Sequence, residues 1–195
     1  MSKSLAIIPA RGGSKRFPGK NTALFRGKPL VEHAIDVARE SGVFAAICVS
    51  SDDPQVLSIA KSKQVDIIHE RPADLATDTA QLKTVCQTVL EGNPGYDSFG
   101  LLIPVSPLRT PEDIRKAHAL LQSKDVNTVL SVVRYTHSPL RSFCLRDGYM
   151  HTFFGKEFMK PDQQLTPLYW HDGTVVFCKT NSFLKENDFC GTGTV

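Results

Sequence analysis

Ile7-Ile8-Pro9-Ala10-Arg11-Gly12-Gly13-Ser14-Lys15-Arg16-Phe17-Pro18-Gly19-Lys20-Asn21 carries a buried strand into a cationic loop. The apolar run over residues 5–8 reads as the strand. Gly12 and Gly13 then let the backbone turn sharply and approach a ligand with no Cβ in the way. Arg11, Lys15, Arg16 and Lys20 add four positive charges, with no acid among them. Successive backbone N–H groups in such a loop form a concave anion site. A strand ending in this way points to a polyphosphate held at the carboxyl edge of an α/β sheet. The Gly-Lys-Ser/Thr of a Walker A loop is missing, and so is the G-x-G-x-x-G spacing of a dinucleotide fold. The plainer alternative is a solvated basic surface loop.

Working outward, short apolar runs alternate with amphipathic ones. Strands are predicted over 5–8, 46–50, 65–69, 99–103 and 127–133, and helices over 30–40, 54–63, 79–91 and 110–122. Asp53 before Pro54 reads as a helix N-cap, and Thr110-Pro111-Glu112-Asp113 reads as a helix start. Repeated β-α-β units imply an α/β fold of Rossmann-like, three-layer αβα type around a mostly parallel sheet. The pattern changes after Val133. Apolar runs on either side of Arg146-Asp147-Gly148 predict a hairpin, and 174–178 returns as a strand. We read 1–195 as one domain with 134–168 as an excursion, either a lid or a dimerisation arm.

The bulk numbers are ordinary. A length of 195 residues with 22% charged suits one domain with a sizeable core. A net charge of +3 fits an anionic small-molecule substrate, and no basic run interleaved with aromatics calls for nucleic acid. The five cysteines form no C-x-x-C pair and no zinc spacing, which favours a reducing cytoplasm. No apolar run is long enough to span a membrane. The lead-in to the first strand carries no signal-peptide pattern.

The loop resembles the first motif of the CMP-sialic acid synthetase family (acylneuraminate cytidylyltransferases), A-R-x-x-S-K-x-x-P-x-K-N. Ala10, Arg11, Ser14, Lys15, Pro18, Lys20 and Asn21 meet its fixed positions. Val49-Ser50-Ser51-Asp52-Asp53 resembles the family's V-S-T-D-D. Residues 71–80, from Arg71-Pro72 through Asp78-Thr79-Ala80, match R-P-x-x-L-A-x-D-x-A. The resemblance implies that Arg71 helps recognise cytosine and that the Asp78–Ala80 turn lies near the nucleotide. The residues alone also allow Arg71 to pair with Glu70 or Asp74, and Asp78 to cap a helix. Residues 101–109 match L-L-Q-P-T-S-P-L-R, with Ile103 for Gln and Val105 for Thr, which removes polar groups from the implied sugar side. Ser106 and Arg109 are kept, and Arg109 reads equally as a structural tie. His137-Ser138-Pro139-Leu140-Arg141 resembles H-x-P-L/W-K/x. Arg141 is thereby a candidate for a substrate carboxylate, or else a solvated arginine. His137 reads as structural.

Two further segments depart from the family. R-Q-x-L-P appears as Asp162-Gln163-Gln164-Leu165-Thr166, and N-G-A-I-Y as Asp172-Gly173-Thr174-Val175-Val176. An acid at position 162 would repel a substrate carboxylate, so either the substrate differs or Asp162 points elsewhere. The acidic D-I-D-x-x-x-D-like motif, whose acids help hold Mg²⁺ in the family, does not occur before Val195. The resemblance implies the nucleotide-diphospho-sugar transferase type of fold and CMP transfer from CTP to a nonulosonic sugar acid, with Mg²⁺ and a homodimer. In this reading Lys20 and Arg11 are catalytic. The nucleotide is held by Ala10, Arg11, Gly12, Gly13, Ser14, Lys15, Lys20, Asn21, Arg71, Asp78, Thr79 and Ala80. The sugar acid is held by Ser106, Arg141, Gln163, Gln164 and Asp172, and the metal ligands are unassigned. The alternatives are transfer with another base or sugar, or a nucleotide-binding relative without activity.

Overall fold

The structure, a computed structural model, describes residues 2–123 and 125–195. Its elements follow in chain order. Strand β1 (Ser4–Pro9) leads through the loop to a small hairpin, β2 (Leu24–Phe25) and β3 (Lys28–Pro29). Helix α1 (Leu30–Ser41), β4 (Ala46–Ser51), α2 (Pro54–Ser62) and β5 (Ile67–Glu70) come next. They are followed by α3 (Leu82–Gly92), β6 (Ser98–Leu101), α4 (Pro111–Ser123) and β7 (Thr128–Arg134). A second hairpin pairs β8 (Phe143–Arg146) with β9 (Tyr149–Thr152). The chain closes with β10 (Tyr169–Lys179) and α5 (Thr180–Glu186).

The central sheet has the order β5-β4-β1-β6-β10-β7. β4 and β6 flank β1 in parallel, β5 lies parallel to β4, and β10 runs antiparallel to β6. Alternate residues of β1 serve opposite faces, as the two-residue strand period requires. Ala6 and Ile8 meet α1, α2 and α4 through Ala34, Ile35, Val56, Ala60 and Ile114. Leu5 and Ile7 meet α3 and α5 through Cys86, Val89 and Phe183. Each fully buried Ile or Leu here contributes roughly 1.5–3 kcal/mol. Burial on both faces explains why β1 and β4 carry continuous apolar runs, Leu5 to Pro9 and Ala46 to Val49, instead of alternating. The three-layer αβα architecture is therefore as the sequence implied.

The chain divides into two units, 1–131 with 173–195, and 132–172. The second contains the β8–β9 hairpin, which turns through Asp147 (φ 51°) and Gly148 (φ 80°), the left-handed pair of a type I′ turn. Among the described residues no helix is long and apolar enough to cross a membrane.

Most boundaries shift by one or two residues, and three of the differences bear on the site or on the 132–172 unit. α3 starts at Leu82 rather than at position 79, because 77–80 forms a turn in which Ala80 N–H donates to Thr77 O. β6 stops at Leu101, two residues short, as the chain leaves the ladder before Pro104. β10 begins at Tyr169, five residues before the predicted strand. The β2–β3 hairpin and α5 were not anticipated.

Candidate nucleotide site

In a sheet ordered 3-2-1-4, the crevice opens where the winding direction reverses, here between the carboxyl ends of β1 and β6. A cavity of about 230 Å³ occupies that place. Pro9 at the end of β1 and Ile103, Pro104 and Val105 beyond β6 line one part of it. Leu82 and Val85 of α3 extend the apolar wall. Arg11, Lys20, Asn21, Arg71 and Asp78 supply the polar lining.

The loop is anchored at both ends. Ala10 N–H donates to Ser50 O at 2.9 Å, and Ser51 Oγ donates to Ala10 O at 2.7 Å. Asn21, 4% exposed, donates its Nδ2 to Arg11 O at 2.8 Å while its backbone carbonyl accepts from Val31 N–H at 2.9 Å. Gly12 N–H donates to Asp52 Oδ1 at 2.9 Å. A Cβ on Gly12 would lie 3.1 Å from Asp53 Cβ, so the close approach that requires glycine here is to the chain's own β4–α2 turn. The left-handed residue of the loop is Gly19, at φ 64°. Backbone N–H groups of Gly12, Gly13 and Ser14 were expected to cradle phosphate. Gly12 N–H is engaged by Asp52, and Ser14 N–H donates to Gly12 O, so the donors of this loop are its side chains more than its backbone.

Arg11 and Lys15 converge on one carboxylate. Arg11 Nη2 lies 2.9 Å from Asp78 Oδ1, and Lys15 Nζ lies 2.7 Å from Asp78 Oδ2. Arg11 Nη1 also donates to Thr77 O at 2.7 Å. The Lys15 hydrogen bond, seconded by Arg11, holds the Asp78 carboxyl below the usual carboxylate range. Asp78 caps no helix. Thr79 Oγ1 lies 3.2 Å from Thr77 Oγ1 in the same turn, and Ala80 faces the cavity. Lys20 lines the cavity with no ion pair among the described residues.

Arg71 pairs with neither Glu70 nor Asp74. It is 8% exposed and donates from Nε to Ser50 Oγ at 3.3 Å and from Nη2 to Ser50 O at 3.0 Å. Burial pushes its pKa down. Its guanidinium is thus fixed against the end of β4 and faces the cavity. Arg109 is a tie: its Nη1 donates to Thr174 O at 2.6 Å and its Nη2 to Ile103 O at 3.3 Å. Burial pushes its pKa down to about 10. Asp53 caps α2 through Gln55 N–H at 2.8 Å, as read from the sequence.

Ser106 lines a separate space of about 310 Å³ with Lys28, His33, Asp36 and Arg109. Arg141, Gln163, Gln164 and Asp172 belong to the 132–172 unit. Within that unit Asp162 points to Arg141 Nη1 (3.4 Å) and His137 Nδ1 (3.7 Å). Burial raises the Asp162 pKa, but the Arg141 hydrogen bond and further contacts outweigh it and leave the group low. Among the described residues no group of three His, Cys, Asp or Glu side chains could hold a metal ion, and Asp52, Asp53 and Asp78 are each already engaged.

Sequence reading missed Asp52, which pins Gly12, and Ser50, which orients Arg71. Both belong to Val49-Ser50-Ser51-Asp52-Asp53, where short polar residues ending a buried strand were the available signal.

The chain is a three-layer α/β fold with a cation-lined cavity at the switch point of its mostly parallel sheet. A solved structure of CMP:2-keto-3-deoxy-manno-octonic acid synthetase complexed with CTP shares the fold. It has a TM-score of 0.66 at 18% identity, covering 95% of this chain and 77% of that one. Residues 5–143 match the family described as Cytidylyltransferase, and the chain belongs to that family. It is 33% identical to the N-acylneuraminate cytidylyltransferase of Streptococcus agalactiae serotype V over 96% of this chain and 46% of that protein. It is 30% identical to the pseudaminic acid cytidylyltransferase of Campylobacter jejuni serotype O:2 over 95% of this chain and 82% of that one. The chain thus spans about half the length of the streptococcal relative.

Proposed function

We propose that the protein transfers CMP from CTP to a sialic-acid-like (nonulosonic) sugar acid and releases pyrophosphate. One observation carries the reading: Arg11, Lys20 and Arg71 meet on a single cavity at the β1/β6 switch point. Relatives named as cytidylyltransferases of N-acylneuraminate and pseudaminic acid support it.

A hydroxyl of the sugar acid attacks the α-phosphorus in line. The bond from that phosphorus to the bridging oxygen of the β-phosphate breaks, pyrophosphate leaves, and the hydroxyl proton passes to solvent. Such a transfer is accelerated by positioning and by countering charge. Lys20 meets the charge that builds on the α-phosphate. Arg11 and Lys15 neutralise the departing pyrophosphate, and Arg71 presents its planar donor fork to the base edge. CTP arrives as its Mg²⁺ complex, with the ion as part of the substrate.

A second copy of this chain is the proposed partner. Phe143, Leu145, Tyr149, Met150, Phe153 and Trp170 of the 132–172 unit are each at least 47% exposed, apolar side chains that a second copy would cover. A reducing compartment, the cytoplasm, fits the five free thiols.

The test is pyrophosphate release from CTP, UTP, ATP and GTP with a panel of nonulosonic acids. Release specific to CTP with at least one acid is expected. Release with another nucleotide, or CTP binding without release across the panel, replaces the reading.

A further inference from the structure

Three contacts join the cationic loop to the turn at 77–79, and all involve the side chains expected to meet phosphate. Asp78 places one carboxylate oxygen 2.9 Å from Arg11 Nη2 and the other 2.7 Å from Lys15 Nζ. Thr77 O accepts from Arg11 Nη1 at 2.7 Å. Two oxygens on one carbon, bridging two cations, imitate two oxygens on one phosphorus. Asp78 also lines the cavity with Arg11 and Lys20. A triphosphate entering there meets Arg11 and Lys15 already neutralised, with a like charge beside them.

We propose that Asp78 is a place-holding anion: it occupies the phosphate positions of Arg11 and Lys15 in the nucleotide-free protein and competes directly with the incoming polyphosphate. The inference rests on the nucleotide reading of the cavity and adds to it a residue that weakens ground-state binding. The contact keeps two cations from drawing in unrelated anions, and it is given up when a ligand offers more negative charge. The 77–80 turn is therefore the part of the site that moves on binding. The depressed Asp78 pKa keeps the carboxylate charged throughout the physiological range. Partly exposed ion pairs are individually weak, so the latch opens at modest cost.

The experiment measures CTP and cytidine binding by calorimetry on the whole chain in a chelating buffer, so that phosphate charge meets the loop without a divalent ion. Asp78→Asn keeps the shape and removes the charge. Its CTP affinity is expected to rise about fivefold, equivalent to about 1 kcal/mol, while its cytidine affinity stays unchanged because cytidine carries no phosphate. Asp78→Ala is the second variant and is expected to move in the same direction. Unchanged or weaker CTP binding by both variants overturns the place-holding role. So does a parallel shift for CTP and cytidine, which marks a distorted turn. No CTP binding by the native protein, either in the chelating buffer or with Mg²⁺ in excess, overturns the nucleotide reading itself. Native binding with no gain in the variants overturns only the inference about Asp78.

Discussion

Lys20, within the cationic loop, and Asp53, packed against it at Gly12, are two polar side chains with different work. Lys20 lines the cavity without a carboxylate partner among the described residues, so its charge is available to a ligand. Charge that acts mainly on the pentacoordinate α-phosphate raises turnover more than ground-state affinity. Lys20→Ala is expected to lower kcat by about a hundredfold or more, with CTP affinity shifted by only about threefold. Paired kinetics and calorimetry check this, and equal losses in both would remove the assigned role. Asp53 works through structure, since its carboxylate holds the first turn of α2. Asp53→Ala is expected to cost about 1 kcal/mol, a fall of about 2–4 °C in Tm for a chain of this size. That is read by thermal unfolding.

Among the elements, α1 and the segment after α2 are joined by charge. Asp36 of α1 receives Lys28 at 2.6 Å and Lys63 at 2.6 Å, and Glu32 receives Lys63 at 3.3 Å. Burial raises the Asp36 pKa, but hydrogen bonds from the two lysines outweigh it and leave the carboxyl below its ordinary value of 3.8. A carboxyl depressed in the folded state contributes stability above its unfolded pKa and loses it as pH falls through the folded one. The contribution, about 1 kcal/mol, is expected to vanish below the pH 3.8 region. Asp36→Asn should flatten that acid limb in a Tm-against-pH series. Arg109 ties the exit of β6 to β10. Arg109→Met leaves the carbonyls of Ile103 and Thr174 without these donors, and about 1–3 kcal/mol is expected to be lost in urea unfolding.

At this scale the sequence was most legible where local chemistry and burial agreed. Thr110 and Asp113 form the reciprocal cap that their spacing implied. The buried β1 and β4 announced themselves by unbroken apolar runs. The β2–β3 hairpin hid because its turn uses Arg26 at φ 50° before Gly27, a pair without the usual Asn or Asp signal. The apolar wall from Leu82 and Val85 hid because a helix face against a cavity has the same periodicity as one against a core. Asp78 was ambiguous because its partners, Arg11 and Lys15, lie more than sixty residues away in sequence.

For the molecule as a whole, the 132–172 unit and the nucleotide cavity draw on separate parts of the chain. Leu145 is 69% exposed and Tyr149 72% exposed on the β8–β9 hairpin. If they pack against a second copy, Leu145→Glu combined with Tyr149→Lys is expected to give monomers by light scattering while CTP still binds. A dimer that persists would place the interface elsewhere. The connection between the units carries a consequence for how the chain could be rebuilt. β7 leads into 132–172 and β10 leads out, and these strands are neighbours in the sheet, with Ser131 Oγ accepting from Val175 N–H at 2.8 Å. The excursion thus departs and returns at almost one point. Splicing Ser131 to Gly173 through a short turn would leave an ordinary antiparallel pair at the sheet margin and excise no residue that lines the cavity. Such a miniature is expected to keep the residues that line the cavity and to take up CTP still, with calorimetry on the shortened chain as the check.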